Sequence, residues 1–524
     1  LCTMQGKKNY HEKLFTNFQL SERIPPENFY RRLKEALDLR FLREETKQYY
    51  GSEGQQSIDP EVFFKLILVG YLENLNSDRK IIAHAQLRLD ILYFIGYDID
   101  EELPWHSTLS RTRQLYGEDV FLSLFRKVLG LCIQKGMVSG KRQAIDSAYI
   151  KANASMDSLL EKEVMDDAGN YTDELNDNDE EPPAKVSTAK KKQVEQHHNW
   201  KKKEYKDQPQ GRKKTSEDTF DDEKEADEKH RPKFLSNHTH YSQSDPDARI
   251  SVKPGKPRQL TYTAQTSVDT KQHVITNILA DYSNKRDSES LAQAVNQTID
   301  NLKEHELELR EILADTGYSS GKALRYLAFQ KLTGYIPNFG QYKPTREGFS
   351  FDKEKNAYIC QQGKELKYKG IKTGGGGEQY KAYSSSSKDC KQCPLRGTCI
   401  GKSDFKKLTE TIDKELYDQM HQRLQTRQAK IYKKLRSSTV EPVLGTLINF
   451  TGMRRIWTRG IKQANKFMLG AAIAYNLKKW LNYQPKHRKV NAMAMEVPKT
   501  TEKVLQKLGF LFCRLLQLPY TTLS

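Results

Sequence analysis

Apolar residues recur along this chain at two spacings, and the change of spacing divides it. From about residue 10 to 135 they return every three to four positions, as in helices. "SIDPEVFFKLILVGYLENL" offers Ser57 or Asp59 as a cap and Pro60 as first helical residue. Phe63, Leu66, Ile67, Tyr71 and Leu72 then share one stripe. "SDRKIIAHAQLRLDILYFIGY" predicts a second helix from Ser77 to Gly96. "PWHSTLSRTRQLYG" predicts a third, capped by Ser107, with Arg111 and Arg113 in its first turns. Short helices with a basic last member match a helix-turn-helix DNA reader; an ordinary helical packing domain fits the same pattern.

Beyond residue 138 the texture becomes short apolar runs between helices. "RQAIDSAYIKANAS" reads as a strand or a hairpin of two, with Asp146 at or near a strand end. "RQLTYTAQTSVDT" and "QHVITNILADYS" are further strands, and "RDSESLAQAVNQTIDNL" is a helix burying Leu291, Ala294, Val295 and Ile299. In "ILADTGYSSGKAL" a strand stops at Asp315, a glycine turn follows and a helix starts. "TGYIPNF" adds a short strand, and residues 340–405 read as loop-rich. A charged helix is expected from Asp413 to Leu435, with Leu416, Met420 and Leu424 spaced by four. Another starts in "TVEPVLGTLINF", placing Glu441 in its first turn, where Pro442 is tolerated. A long last helix buries Phe467, Met468, Ala471, Ala472 and Tyr475. This order predicts an α/β fold, a mixed sheet with helices packed on it. The expected domains are a helical, DNA-binding one at 1–138, an α/β catalytic one at 139–483 and a basic tail at 484–524. The catalytic domain is interrupted by a polar, low-complexity insertion at 155–250 and a Cys-rich one at 340–405.

Composition sharpens this outline. Only 36% of the 524 residues are hydrophobic, and the polar insertion, too poor in apolar groups to offset the entropy of ordering, explains the deficit. The formal net charge of +18 favours a polyanionic partner, most simply nucleic acid. No apolar run is long enough to cross a bilayer, and "LCTMQGKKNYHEKLF" lacks the order of a signal peptide. Seven cysteines, an odd number without a secretion signal, indicate a reducing cytoplasm rather than a disulfide framework. Gly374–Gly377 is followed by neither the lysine nor the helix of a phosphate loop, so it reads as a flexible turn and nucleotide use is not indicated.

Two sets of residues offer chemistry. Asp146 and Asp315 lie near strand ends, where open α/β sheets place ligands, and Glu441 heads a helix. Singly, such residues are commonly turn formers or partners of the helix dipole. Brought together they would repel one another, and a divalent cation removes that cost; Mg²⁺ and Mn²⁺ prefer hard oxygen ligands. Two such ions about 4 Å apart can activate a water or a 3′-hydroxyl and stabilise a leaving oxygen. The second set is Cys390, Cys393 and Cys399 in "KDCKQCPLRGTC", with Cys360 upstream: a structural Zn²⁺ site on Cys-x-x-Cys spacing, or free loop thiols. Cys2, Cys132 and Cys513 read as ordinary residues, and His197, His198, His238 and His240 as solvated ones.

Several stretches, in order, resemble one known family. "AIDSAYIKANAS", "DPDARISVKPGKPRQLTYTAQTSVDTKQHVI", "EILADTGYSS" and "VEPVLGTLINFTGMRRIWTRGIKQANKFMLGAAIAYNLKKW" look like a DDE-type transposase of bacterial insertion sequences, in the family eleven-eighty-two group. "SIDPEVFFKLILVGYLENLNSDRKI" and "LPWHSTLSRTR" resemble that group's helical N-terminal domain. The resemblance spans most of the chain, apart from the polar insertion and the stretch after Tyr483. It implies a ribonuclease-H-like fold, with helices on both faces of a mixed sheet, and catalytic Asp146, Asp315 and Glu441 holding two Mg²⁺ ions. It implies hydrolysis at element ends followed by attack of the freed 3′-hydroxyl on target DNA, carried out by a homodimer on terminal repeats. Relatives carry a Tyr, an Arg and a Lys around the Glu to grip terminal phosphates. Here Tyr432 and Arg436 stand upstream at stretched offsets, Ile448 occupies the Lys position, and Arg454 and Arg455 are the substitutes. A catalytically inactive DNA-binding relic and a metal-dependent nuclease are the competing readings.

Overall fold

The structure is a computed structural model that describes residues 18–51, 57–161, 236–237, 239–251, 258–338, 340, 342–374 and 379–484. Residues 1–481 form one unit and 482–524 another, of which only 482–484 are described, so the basic tail lies outside the described residues.

Among the described residues a one-turn helix, Leu20–Arg23, and seven longer ones come first: α1 (Phe29–Ala36), α2 (Phe41–Thr46), α3 (Pro60–Leu72), α4 (Asp78–Gln86), α5 (Leu89–Ile95), α6 (His106–Leu115) and α7 (Glu118–Gln134). Asp59 caps α3, its carboxylate accepting from the Glu61 amide at 2.8 Å ahead of Pro60. The helix expected from Ser77 to Gly96 is two, α4 and α5, broken at Leu87–Arg88. Gly96 ends α5 at φ +90°, the left-handed conformation that glycine adopts freely. The third helix starts at His106 after Trp105, one residue before the expected Ser107 cap.

Strand β1 (Arg142–Lys151) is uninterrupted, not a hairpin, and it is the middle of a six-stranded sheet. On one side β3 (Gln259–Asp269) runs antiparallel to it, and beyond β3 lie β2 (Arg249–Ser251) and β4 (Ile275–Tyr282), both antiparallel to β3. On the other side β5 (Glu311–Leu313) is parallel to β1, and β6 (Thr333–Tyr335), reached through α9 (Gly321–Phe329), is parallel to β5. Side chains alternate between faces along β3. Ser267 receives a hydrogen bond from Thr298 of α8 (Asp287–Lys303), whereas Thr266, paired with Asp146, belongs to the opposite face. The Asp146 face receives α11 (Arg427–Phe450) through Arg436. Helices therefore cover both faces, and the buried runs of β3 and β4 show it.

Three expectations need correction. Of the polar insertion, 162–235 lies outside the described residues, but its ends are ordered: Leu159–Glu161 pairs with Tyr241-centred His240–Ser242, and β2 joins the sheet. His240 is buried, not solvated, with Thr239 Oγ1 at 2.8 Å from Nδ1. The stretch read as loop-rich contains a five-stranded antiparallel meander: β7 (Phe349–Asp352), β8 (Ala357–Cys360), β9 (Glu365–Thr373), β10 (Gln379–Ser384) and β11 (Lys407–Thr411). Its core is small, Tyr358, Leu366, Tyr383 and Leu408, and most of β9 is exposed, so the strands carry little apolar signal. The chain then makes α10 (Lys414–Leu424), α11 and α12 (Ile461–Asn482).

The third correction concerns Glu441. The helix carrying it starts at Arg427, capped by Thr426, and Pro442 lies in its interior. Proline removes one helical hydrogen bond there. Ala429, Tyr432, Val440, Val443, Leu444 and Leu447 are all buried along this helix, and that burial outweighs the lost bond. Glu441 is thus held by helix on both sides rather than at a frayed end.

Candidate active site

Register brings the two aspartates together. Ala144 of β1 pairs with Leu313 of β5 in parallel, so two residues further along each chain Asp146 and Asp315 reach the same level on adjacent paths. Asp146 sits in mid-strand, because β1 continues to Lys151, while Asp315 stands just past the end of β5. The Asp315 carboxylate accepts from the Gly317 amide at 2.9 Å, fixing the turn that follows. A Cβ on Gly317 would come to 3.0 Å from Asp287 Oδ2 and 3.1 Å from Asp315 Oδ1, so a larger residue there requires these carboxylates to give way by a few tenths of an ångström.

The third carboxylate arrives from the helix. Arg436 Nη1 donates to Asp146 Oδ2 at 2.8 Å and Nη2 donates to Glu441 Oε1 at 3.0 Å. One guanidinium therefore bridges the strand carboxylate and the helix carboxylate. Asp146 and Arg436 are largely buried, whereas Glu441 is more than half exposed. Burial pushes the Asp146 carboxyl above the usual aspartate range, against the Ser147 amide and Arg436; the charge of Asp315 adds to the rise. Behind Asp315, Tyr318 is buried with its hydroxyl donating to Gln265 Oε1 at 2.5 Å, and Gln265 Nε2 donates to Asp287 at 3.2 Å. This backing layer escaped the sequence reading, since its members look like ordinary strand and helix-start residues.

The donor chemistry of Asp146, Asp315 and Glu441 suits a hard divalent cation. In the present arrangement the guanidinium takes the cation's place between Asp146 and Glu441, and among the described residues no three His, Cys, Asp or Glu side chains are grouped tightly enough to hold a metal. The same holds for the thiols. Cys360, Cys390, Cys393 and Cys399 line one cavity of about 320 Å³, with Cys390 Sγ 3.0 Å from Ser385 Oγ, but they do not close on a common point. The expected zinc site is not formed, because one thiol lies on a strand end and the others on two one-turn helices and their link.

Of the residues expected to touch DNA, three are committed inside the protein. Arg113 makes a two-pronged pair with Asp78 at 2.6 and 3.0 Å. Tyr432 is buried, with the Arg142 guanidinium over its ring and its hydroxyl taken by Arg142 and Gln428. Arg436 holds the carboxylates. Arg111 and Arg454 are exposed, and Arg455 reaches Asn153 Oδ1 at 3.2 Å and stacks 4.9 Å over Trp457. No described helix is long and apolar enough to cross a membrane.

Two family models match the chain. Residues 18–115 match a transposase domain (DUF772), and residues 359–481 match a transposase DDE domain. The first covers α1 to α6; the second covers β8 through α12 and includes Glu441. Together these matches support a DDE-type transposase of insertion sequences, and the helical match is consistent with the eleven-eighty-two group. No curated protein matches the chain.

Proposed function

We propose that this chain cuts and joins DNA at the ends of an insertion sequence, using Asp146, Asp315 and Glu441. The observation that carries the reading is the single guanidinium shared by Asp146 and Glu441, with Asp315 level with Asp146 on the neighbouring strand path. The shared guanidinium and the strand register thereby link three acidic groups that are far apart in sequence. The sheet supports it: three antiparallel strands, then two parallel to the central one, is the order of a ribonuclease-H-like fold. A bound divalent ion, Mg²⁺ or Mn²⁺, would neutralise charge developing on the phosphate and favour ionisation of the attacking water or hydroxyl. The chain's own task is positioning. The turn at Gly317 holds Asp315, the mid-strand placement holds Asp146, and the exposed Arg111 and Arg454, with Arg455, meet backbone phosphates along with the general basic excess. A homodimer on paired element ends and a cytoplasmic location belong to this reading.

The test is cleavage of duplex DNA carrying the inverted repeats that flank the coding region, in Mg²⁺. Asp146→Asn and Asp315→Asn should abolish cleavage and leave DNA binding within about twofold. Variants that cut as well as the parent would end the proposal. The Arg436 bridge also favours a second reading, a DNA-binding protein whose acidic site stays neutralised. It requires binding without nicking in any divalent metal, with affinity falling by a log–log salt slope of about −0.9 per phosphate contacted.

A further inference from the structure

A cavity of about 560 Å³ belongs to no part of the carboxylate site. It lies where the N-terminal helices meet the loop between α11 and α12, and its size falls among pockets that take small ligands. Lys466 of α12 fastens this junction, its buried Nζ donating to the carbonyls of Arg113 and Tyr116, each at 2.8 Å. Gly470 brings α12 against α3 so closely that a Cβ would sit 2.3 Å from Tyr71 Cε2. The walls are therefore firmly held, while the cavity stays open.

Its lining has three chemical components. Trp457 is aromatic and 44% exposed. Arg455, itself outside the lining, covers that ring at 4.9 Å. Asn76, Gln114 and Gln463 supply amides, which both donate and accept hydrogen bonds. Two polar atoms of the lining, Gln463 Oε1 and Thr458 Oγ1, are buried with no hydrogen-bond partner among the described residues, a costly state unless a ligand completes them. Arg459 at the rim has no carboxylate partner among the described residues, and the one carboxylate of the lining, Asp78, is neutralised by Arg113. A ring to stack on, amides for a heterocycle edge and a free guanidinium for a phosphate together describe a nucleotide.

The cavity is also tied to the catalytic strand. Ile456 N donates to Lys151 O, the last residue of β1, at 2.8 Å, and Asn153 Nδ2 donates to Trp457 O at 2.9 Å. From Asp146 to Asn153 the path is seven residues, roughly 23 Å at strand rise. DNA lying across the carboxylates therefore reaches the cavity in less than one helical turn of about 34 Å.

We propose that this cavity receives one unstacked nucleotide of the bound DNA, its base against Trp457, its edge on Gln463 and its phosphate on Arg459. The inference rests on the DNA-processing reading above and names a second place where that DNA is held. Taking a base out of the duplex costs stacking and pairing, and the pocket returns a stack and hydrogen bonds; the balance is most favourable where the base is already unpaired.

The experiment uses the full chain and two duplexes of one sequence, one fully paired and one carrying a single extra unpaired adenosine, with affinities measured by fluorescence anisotropy at fixed salt. The parent should prefer the bulged duplex about tenfold, in the range one base stack supplies. Trp457→Ala and Gln463→Leu should each reduce the preference to below about twofold, while Trp457→Phe, which keeps a stacking face, retains most of it. Affinity for the paired duplex should stay within about twofold in all three, which also reports that they fold. A parent that binds both duplexes equally, or a Trp457→Ala variant that keeps the full preference, overturns the proposal and leaves the DNA reading standing. A parent that binds neither duplex overturns the DNA reading as well.

Discussion

The two sheets of this protein each carry a set of metal-ligating residue types, neither grouped tightly enough among the described residues to hold a metal, and they differ in how firmly the fold holds each set. In the six-stranded sheet the carboxylates ride on register: β1 and β5 fix Asp146 against Asp315, and a long helix anchored by Tyr432 and Val440 delivers Glu441. In the five-stranded sheet the thiols of Cys390, Cys393 and Cys399 ride on short helices beside a core of four buried residues, and they surround a cavity without closing it. Strand register and a packed helix leave a side chain few places to go. A one-turn helix on a small core does not, so residue type and spacing alone do not make a site.

The comparison breaks most visibly by substitution. Asp315→Asn should lower cleavage of element-end DNA by at least about 10³-fold, the order seen when a preorganised electrostatic group is removed. Cys390→Ser should change it by less than about threefold. A large loss from the cysteine change would mean that the small sheet serves the reaction after all. The next effect sharpens the carboxylate side. If Arg436 stands where a cation would, Arg436→Ala should tighten Mn²⁺ binding, measured by calorimetry without DNA, by at least about tenfold. A unit charge about 4 Å away is worth up to ~4 kcal/mol at an effective dielectric near 20, and tenfold needs only ~1.4. Weaker Mn²⁺ binding in the variant would instead make Arg436 the brace that keeps the carboxylates in place.

The same contrast explains what was legible in the sequence. Helix α3 with its Asp59 cap, the β3 and β4 strands and the helix after them were readable, because their apolar pattern and local signals agree. Asp146 and Asp315 stood out as acids closing apolar runs, although only the register shows that they are level. Glu441 was misplaced at a helix start: a Glu-Pro pair is a strong local start signal, and it was overruled by burial on both sides of it. Arg436 read as a hand for DNA because its partner Asp146 is 290 positions away. The meander was hidden by half-exposed strands such as β9, whose pattern scarcely differs from a polar loop.

Two smaller effects probe rigidity directly. Cys360, Cys390, Cys393 and Cys399 are partly exposed, whereas Cys132 is buried with its thiol pushed up to about 12 by that burial. A disulfide reagent followed by peptide mass analysis should therefore modify those four at least about tenfold faster than Cys132, since the thiolate is the reactive form. A Cys132 that reacts as fast as the others would show that the helical region opens readily. On the carboxylate side, Gly317→Ala pushes a methyl group against Asp287 and Asp315. Cleavage should fall about tenfold with little change in DNA affinity; an unchanged rate would mean that the Asp315 turn has slack.

The smallest effect concerns what the carboxylate cluster costs the fold. Burial, aided by the charge of Asp315, holds the Asp146 carboxyl above the ordinary aspartate range. A native state with a raised carboxyl pKa binds more protons than the unfolded chain in the window between the ordinary and raised values, so stability falls as pH rises through it. Well below the ordinary aspartate value of about 3.9 both states are protonated and the difference is gone. Asp146→Asn keeps the shape, leaves Arg436 its contact with Glu441 and removes the charge. Its Tm should approach the parent's as the pH falls towards 3 and exceed it near pH 7. The inactive variant would then be the more stable one at neutral pH, as expected where like charges are held together for chemistry. If Asp146→Asn melts lower than the parent at neutral pH, the Arg436 bridge outweighs burial and repulsion, and Asp146 would be a structural partner of Arg436 rather than a strained ligand.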